Sequence, residues 1–300
     1  MLGVAYTAVA AVFFGLNGAT FRRGVLGGSA LQGVYVTVLG GVPLFLLAAL
    51  VTQQAFRLEA LELRAYIILA ASGVLHFLLG RYSNFRAYAA LGQTRAQPLI
   101  QASTLVSVVI AVLFLRETVT LLMAMGIALV MAGPAISATQ AAPAPSAAAT
   151  LAPPVRLAEG YAFGTVNALA FGVSPVLVRY ALGDSGLGIV AGLTAYMGAA
   201  AVLALGFALP GVRASLSGMN PGARGWFAVG TLTVFAAHMF RFLALSAAPV
   251  SVVIPLLRGG AFLHVVAAWL INRDYETFDR RVLVGIGVSV SGSVALVVQP

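Results

Sequence analysis

The chain of 300 residues contains no cysteine and no lysine. Without cysteine there is no disulfide framework, no thiolate ligand for a metal ion and no cysteine nucleophile. All 17 basic residues are therefore arginines, whose guanidinium groups stay protonated in proteins, so a proton-carrying lysine is excluded. The arginines are spread along the chain instead of forming one basic face, which argues against a nucleic acid as the partner.

Charge of either sign is scarce, at 8% of residues against 61% hydrophobic, and the mean hydropathy is +1.00. Such a chain has too little polar surface to cover a water-soluble globule, so its main solvent is lipid. Unpaired backbone groups cost several kcal/mol in lipid, which leaves only helices or a closed barrel to span it. The apolar runs are about 20 residues long, the length of a spanning helix.

Ten such spans are predicted, separated by charges, glycine and proline, near residues 2–21, 30–51, 66–88, 97–115, 118–137, 159–181, 186–209, 225–247, 249–271 and 280–298. The first begins without a basic leader, and we expect it to be retained as a span. Four prolines among small residues indicate a flexible linker at 138–157, between a first unit at 1–137 and a second at 158–300.

The two units are related by duplication. The run GVAYTAVAAVFFGLNGATFR at Gly3 reappears as GYAFGTVNALAFGVSPVLVR at Gly160, an offset of 157 positions (160 less 3). The same offset pairs Phe14 with Phe171 and Pro98 with Pro255, and after a two-residue insertion Gly126 pairs with Gly285 and Gly133 with Gly292. Each copy opens five spans, an odd number, so the second unit is predicted to lie inverted relative to the first.

Acidic residues are missing from the interior of every predicted span. A relay of membrane-embedded carboxylates is therefore absent, and His76 and His238 are candidates for titration near neutral pH. Both lie near the middle of repeat-related spans that also carry an arginine, which favours a cavity lining. A structural hydrogen bond is the alternative for each, and facilitated diffusion is the alternative to proton coupling.

Arg258 is the strongest single candidate for a substrate-binding residue. A guanidinium far from either end of an apolar helix needs a carboxylate, carbonyl groups or water. We hypothesise that it holds a substrate carboxylate bidentately, the strong geometry for this pair; snorkelling or bonding to helix ends is the alternative. We expect the helix to break near Pro255 and to free carbonyl groups toward a cavity.

Further polar positions complete the predicted substrate-binding set. Gln97 and Gln101 lie one turn apart on the fourth span, and Tyr82 stands on a different face of the third span from His76. Asn17 and its repeat mate Ser174 either line the cavity or join helices by hydrogen bonds. Structural or hinge roles are predicted for Pro98, Pro255, Gly126, Gly133, Gly285 and Gly292. No metal ion and no cofactor is expected.

Several of these features carry a family resemblance: an arginine after the first span, Pro98-Leu99 opening the fourth, Glu117 after it, and the glycines at 126 and 133. The chain resembles the drug/metabolite transporter superfamily over most of its length, in particular the EamA-type carriers and, among them, the aromatic amino acid exporters. The resemblance implies an all-α integral membrane protein with ten helices in two inverted five-helix repeats around a central cavity. It also implies export of small molecules, amino acids above all, across the bacterial cytoplasmic membrane.

Three alternative functions stay open, and two indications of the membrane orientation conflict. A broader metabolite or drug carrier, a passive pore and a structural membrane subunit share the same sequence features. An intramembrane enzyme would need paired acids, an HExxH pattern or a serine nucleophile constellation, none of which occurs in the spans. The loop arginines favour termini outside the cytoplasm, whereas the resemblance implies termini inside. The oligomeric state stays open, a monomer included.

Overall fold

The structure is a computed structural model that describes residues 1–91, 93–138, 156–260, 263, 266–267, 270–271 and 280–297. Helices make up nearly all of this part. Apart from two short 3-10 helices at Gln54–Phe56 and Leu58–Ala60, they are α1 (Leu2–Gly27), α2 (Ala30–Val51), α3 (Leu63–Gly73), a π-helical segment (Val74–Gly80), α4 (Arg81–Leu91), α5 (Gln93–Leu115), α6 (Leu121–Ala138), α7 (Leu157–Leu182), α8 (Gly188–Gly206), α9 (Pro210–Ser217), α10 (Pro221–Leu245), α11 (Val250–Gly259) and α12 (Arg280–Val297).

Six helical stretches in the described part are long and apolar enough to cross a membrane, judged by length and composition: Leu2–Val25, Ala30–Val51, Leu63–Asn84, Leu157–Leu182, Gly188–Gly206 and Pro221–Leu245. Shorter apolar helices cover Leu99–Leu115, Leu121–Gly133 and Val250–Gly259. All of these lie on predicted spans. The short helix α9, which has no buried residue, was not predicted, and most of the predicted linker lies outside the described residues.

The third predicted span runs as α3, the π-helical segment and α4 without a break. Two contacts frame the π-helical segment. Before it, Gly73 lies so close to the Ala195 carbonyl that an added Cβ would clash, so α3 touches α8 backbone to backbone. At its end, Asn167 Nδ2 on α7 donates a hydrogen bond to the Gly80 carbonyl at 2.8 Å. Single π turns of this kind are frequent at functional sites.

The ninth predicted span is interrupted at a different place from the one expected. Helix α11 continues through Pro255 and ends at Gly259, Gly260 forms a turn, and helical residues appear again at Leu263. The break near Pro255 was therefore wrong by one turn. Pro255 lacks a backbone N–H but the helix continues past it, whereas a Cβ on Gly260 would lie 2.6 Å from the Ala11 Cβ, so the close contact with α1 is made at this glycine.

The two halves of the chain pack by exchanging their first helices. Helix α1 packs mainly on α10, and α7 packs on α3, the π-helical segment and α4. Close approaches repeat with the same offset as the sequence. A Cβ on Gly15 would lie 2.9 Å from the Leu263 carbonyl oxygen, and one on Gly172 would clash with Val106. Gly172 lies 157 positions after Gly15, and Val106 lies 157 positions before Leu263.

Helices α6 and α12 pack against each other beside this body. A Cβ on Gly126 would lie 3.0 Å from the Gly292 carbonyl oxygen, and one on Gly292 would lie 2.6 Å from the Gly126 carbonyl oxygen. The other two glycines of the predicted set, Gly133 and Gly285, are also buried on these helices. The absence of side chains at the crossing lets the two backbones touch, as in other close-packed membrane helices.

An acidic residue holds the start of α11. The two carboxylate oxygens of Glu117, in the connection between α5 and α6, accept hydrogen bonds from the backbone N–H groups of Val250 and Ser251, each at 2.9 Å. These are N–H groups of the first helical turn, which have no partner within the helix. A negative charge there also favours the helix dipole. The sequence marked Glu117 only as a family feature and missed this cap.

We expect Gly126→Leu to lower the thermal stability of the detergent-purified protein, because the new side chain would collide with the backbone of α12. Overpacking of a tight contact typically costs about 1–3 kcal/mol. The matched control is Gly287→Leu on α12, where an added Cβ meets nothing within 4 Å. Equal melting temperatures for the two variants would contradict the close packing of α6 on α12.

Replacing Glu117 by alanine should also destabilise the protein, since two first-turn N–H groups of α11 would lose their acceptor. The loss of a helix N-terminal cap costs about 0.5–2 kcal/mol. Thermal unfolding of Glu117→Ala beside Glu59→Ala, an exposed glutamate in the connection between α2 and α3, measures the difference. A melting temperature as high as that of the control variant would show that the cap contributes nothing.

Candidate functional site

Two histidines from opposite halves of the chain meet inside the helical body. His76 lies on the π-helical segment and His238 on α10, with ring centroids 5.3 Å apart and ring planes at 90°. Both side chains are buried. The Nδ1 atom of His76 forms a 2.6 Å hydrogen bond with Ser174 Oγ on α7. Three of the predicted substrate-binding residues are thus brought together at one point.

Two phenylalanine rings, 157 positions apart in the sequence, pack on this histidine pair. Phe171 stacks on His76 with centroids 4.4 Å apart and an interplanar angle of 19°. Phe14 meets His238 edge to face, with centroids 5.0 Å apart and an interplanar angle of 89°. Each phenylalanine belongs to the first helix of one half and covers a histidine of the other. The exchange of first helices between the halves therefore builds the surroundings of the pair.

A hydrogen bond from Arg81 determines the tautomer of His238. The Arg81 guanidinium is buried and donates hydrogen bonds to Thr37 Oγ1 at 2.9 Å and to His238 Nε2 at 3.3 Å. An arginine can only donate, so Nε2 of His238 is the acceptor and a neutral ring carries its proton on Nδ1. That Nδ1 atom is buried and has no hydrogen-bond partner among the described residues.

Two further arginines lie near the pair. Arg241 follows His238 on the same face of α10 and is only 4% exposed, and its Nε atom has no hydrogen-bond partner within the described part of the chain. Arg258 is half-buried, donates to Ser103 Oγ at 3.1 Å, and has its guanidinium carbon 6.0 Å from the centroid of the Phe171 ring. We refer to Arg81, Arg241 and Arg258 as the arginine cluster.

The position of Arg258 corrects one sequence-based expectation. It is not far from both helix ends, because α11 stops at Gly259 and Arg258 lies in the last turn. The carbonyl groups at a helix C-terminus carry partial negative charge, so this is a favourable place for a cation. The fold stabilises the Arg258 charge in part before any substrate binds.

The electrostatic balance of this region is positive. The charges of all three clustered arginines act on His76, and those of Arg241 and Arg81 act on His238. Glu159 is the one acidic residue in the described helices α1 to α8, α10, α11 and α12, and it pairs at the start of α7 with Arg86 and Arg156 instead. Bringing charges out of water costs several kcal/mol per ion, so a group of three positive charges in the helical body favours binding of an anion.

The other predicted site residues lie in different surroundings. Tyr82 is 40% exposed and accepts a 2.9 Å hydrogen bond from Arg86, while His76, Gly80 and Ser83 on the neighbouring face are buried. Gln101 is 5% exposed within α5. Asn17 is half-buried, and its Oδ1 atom has no partner among the described residues. The side chain of Gln97 lies outside the described part, as does that of Pro98.

Sequence reasoning noted Arg81 and Arg241 but did not include them among the site residues. The signal was available, because an arginine near the middle of an apolar span is as unusual as Arg258. Ser103 and Phe171 were not predictable in the same way, since their roles follow from the packing of α5 and α7 against α11 and the π-helical segment.

The helices and their buried polar centre define a multi-pass helical membrane protein. Residues 1–139 match the model of the EamA-like transporter family, so the N-terminal part of the chain has the sequence features of that transporter family. A crystal structure of a protein aligns with 99% of this chain and 97% of its own, with a TM-score of 0.67 and 14% identical residues. This likeness concerns the fold alone. No curated protein matches the chain.

We expect Ser174→Ala to destabilise the protein, because the Nδ1 atom of His76 would remain buried without its hydrogen-bond partner. An unsatisfied buried polar group costs about 1–3 kcal/mol. Thermal unfolding of Ser174→Ala should therefore show a larger shift than Ser217→Ala, which removes an exposed hydroxyl on α9. If the two serine variants melt together, the hydrogen bond between the halves is not a stabilising one.

Proposed function

We propose that the chain is a ten-helix secondary carrier that exports amino acids by alternating access between two inverted repeats. The observation that carries the proposal is the meeting of both halves at the histidine pair and the arginine cluster. A site built from both halves changes its exposure when the halves move relative to each other. That is the arrangement found in carriers with inverted repeats.

The inverted relation is supported by reciprocal contacts. Gly15 approaches Leu263 as Gly172 approaches Val106, with both positions shifted by 157. Arg81 and His238 are themselves 157 positions apart and are in contact. Equivalent residues of two repeats touch each other only beside the axis that relates them. The histidine pair therefore lies beside the proposed two-fold axis, where a central substrate site belongs.

Arg258 is the proposed anchor for the carboxylate of the cargo. Its guanidinium offers a planar fork of donors, which matches a carboxylate bidentately. Phe171 lies beside both Arg258 and His76 and presents an apolar face for a side chain of the cargo. Asn17 Oδ1 is a candidate acceptor for the amino group. Together these groups suit an aromatic or otherwise amphiphilic amino acid.

The driving force proposed is the concentration gradient of the cargo across the bacterial cytoplasmic membrane. The spans contain no acid in their interior, so a carboxylate proton relay is absent. The termini are placed in the cytoplasm, following the family resemblance. Proton coupling through His76 and His238 is the alternative, and an imposed pH gradient separates the two.

Transport of radiolabelled phenylalanine into liposomes that hold the purified protein tests the carrier directly. Saturable uptake is expected for the wild type and a loss of about ten- to a hundredfold for Arg258→Gln, the value of a charge-assisted hydrogen bond. Arg213→Gln, on the exposed helix α9, is the matched control and should leave uptake unchanged.

Several outcomes would contradict the proposal in different ways. If neither phenylalanine nor other amino acids are taken up by the wild type, the cargo is wrong and the broader metabolite carrier becomes the better assignment. Uptake that does not saturate would indicate a passive pore. An uptake rate that follows an imposed pH gradient would replace facilitated diffusion by proton coupling.

A further inference from the structure

One carboxylate does not satisfy the whole arginine cluster. Arg81 already has Thr37 and His238 as partners, and Arg258 has Ser103 and the C-terminal end of α11. Arg241 differs from both. It is only 4% exposed, its Nε donor has no acceptor among the described residues, and the charges of both other arginines act on it.

A second unsatisfied donor lies one turn away. His238 accepts from Arg81 through Nε2, so its neutral ring presents an N–H at Nδ1, and this atom has no acceptor among the described residues either. His238 and Arg241 follow each other at i, i+3 spacing on α10. Two buried donors on one helix face, one of them charged, are complementary to an anionic oxygen group.

We propose that the substrate of this site carries two anionic groups, one held by Arg258 and the other by Arg241 with His238. The class is that of organic anions with two carboxylate or phosphate groups and a net negative charge. Amino acids with an acidic side chain belong to it. The inference rests on the proposed carrier function and narrows its cargo from amphiphilic amino acids in general to those with a second anionic group.

The charge balance favours this class over simple zwitterions. A zwitterion brings one positive group into a region where three guanidinium charges act on the same histidine and no acidic side chain of the described part faces them. It neutralises none of the net charge, whereas a dianion compensates two of the three arginines. Burial of several like charges close together is unfavourable in the membrane interior, so the bound state gains most from the second negative group.

Matched ligand pairs test the second group without changing size. We would titrate the purified protein with glutamate against glutamine and with succinate against succinamate, at constant ionic strength, by calorimetry. The wild type is expected to bind each dianionic or acidic member at least about tenfold tighter than its amide, the value of one charge-assisted hydrogen bond.

Arginine variants show which side chain binds which anionic group of the ligand. Arg241→Gln should bring the ratio within each pair toward one and leave the amide affinity in place, whereas Arg258→Gln should weaken all four ligands. Arg213→Gln is the control and should match the wild type. Arg241→Lys keeps the charge but not the guanidinium fork, so it should give an intermediate ratio and serves in place of Arg241→Gln if that variant does not fold.

The inference is overturned if glutamine binds as tightly as glutamate, or if Arg241→Gln weakens the binding of both members of a pair equally. It is also overturned if chloride alone displaces every ligand, because the arginine cluster would then be a site for an inorganic counter-ion. The carrier proposal fails separately. Tight dianion binding without any uptake into liposomes would refute the carrier and leave the charge preference standing. Saturable phenylalanine uptake by a protein that binds glutamate no tighter than glutamine would refute the charge preference and leave the carrier standing.

Discussion

The structure depends on the exchange of first helices between its two halves. Helix α1 packs on α10 and α7 packs on the third span, and in both places a glycine makes room for a phenylalanine ring of the other half: an added Cβ would clash with Phe227 at Gly24 and with Phe171 at Gly80. In lipid there is little hydrophobic gain from bringing helices together, so close van der Waals contact of this kind is what holds them. The exchange also places Phe14 and Phe171 against the histidines of the opposite half. The same helix packing that holds the fold together therefore also forms the site.

The second constraint is the positive charge that this packing encloses. Polar groups inside an apolar helical body are costly, and each of those in this region has a partial solution: a hydroxyl for His76, a hydroxyl and an imidazole for Arg81, a helix C-terminus for Arg258. Arg241 has the least compensation among the described residues. A site that is incomplete in this sense binds an anion more readily than a fully satisfied core would.

Hydropathy was enough to place the six long apolar helices, because spans of lipid-facing residues have a length set by the bilayer. The π-helical segment, the end of α11 at Gly259 and the cap by Glu117 were not predictable, because each depends on a contact between distant elements. The same distinction holds at the site. His76, His238, Ser174 and Arg258 were found as polar residues in apolar runs, whereas their partners Ser103 and Phe171 have no local signal.

The inverted relation of the two halves is the central claim, and the absence of cysteine makes it directly testable. Single cysteines at Gly27, after the first span, and at Asp184, after the sixth, occupy equivalent places in the two repeats. A membrane-impermeant maleimide applied to intact cells and to inverted vesicles reports the side of each. We predict that the two positions label from opposite faces of the membrane; labelling of both from the same face would show that the halves are parallel and would contradict the inverted relation.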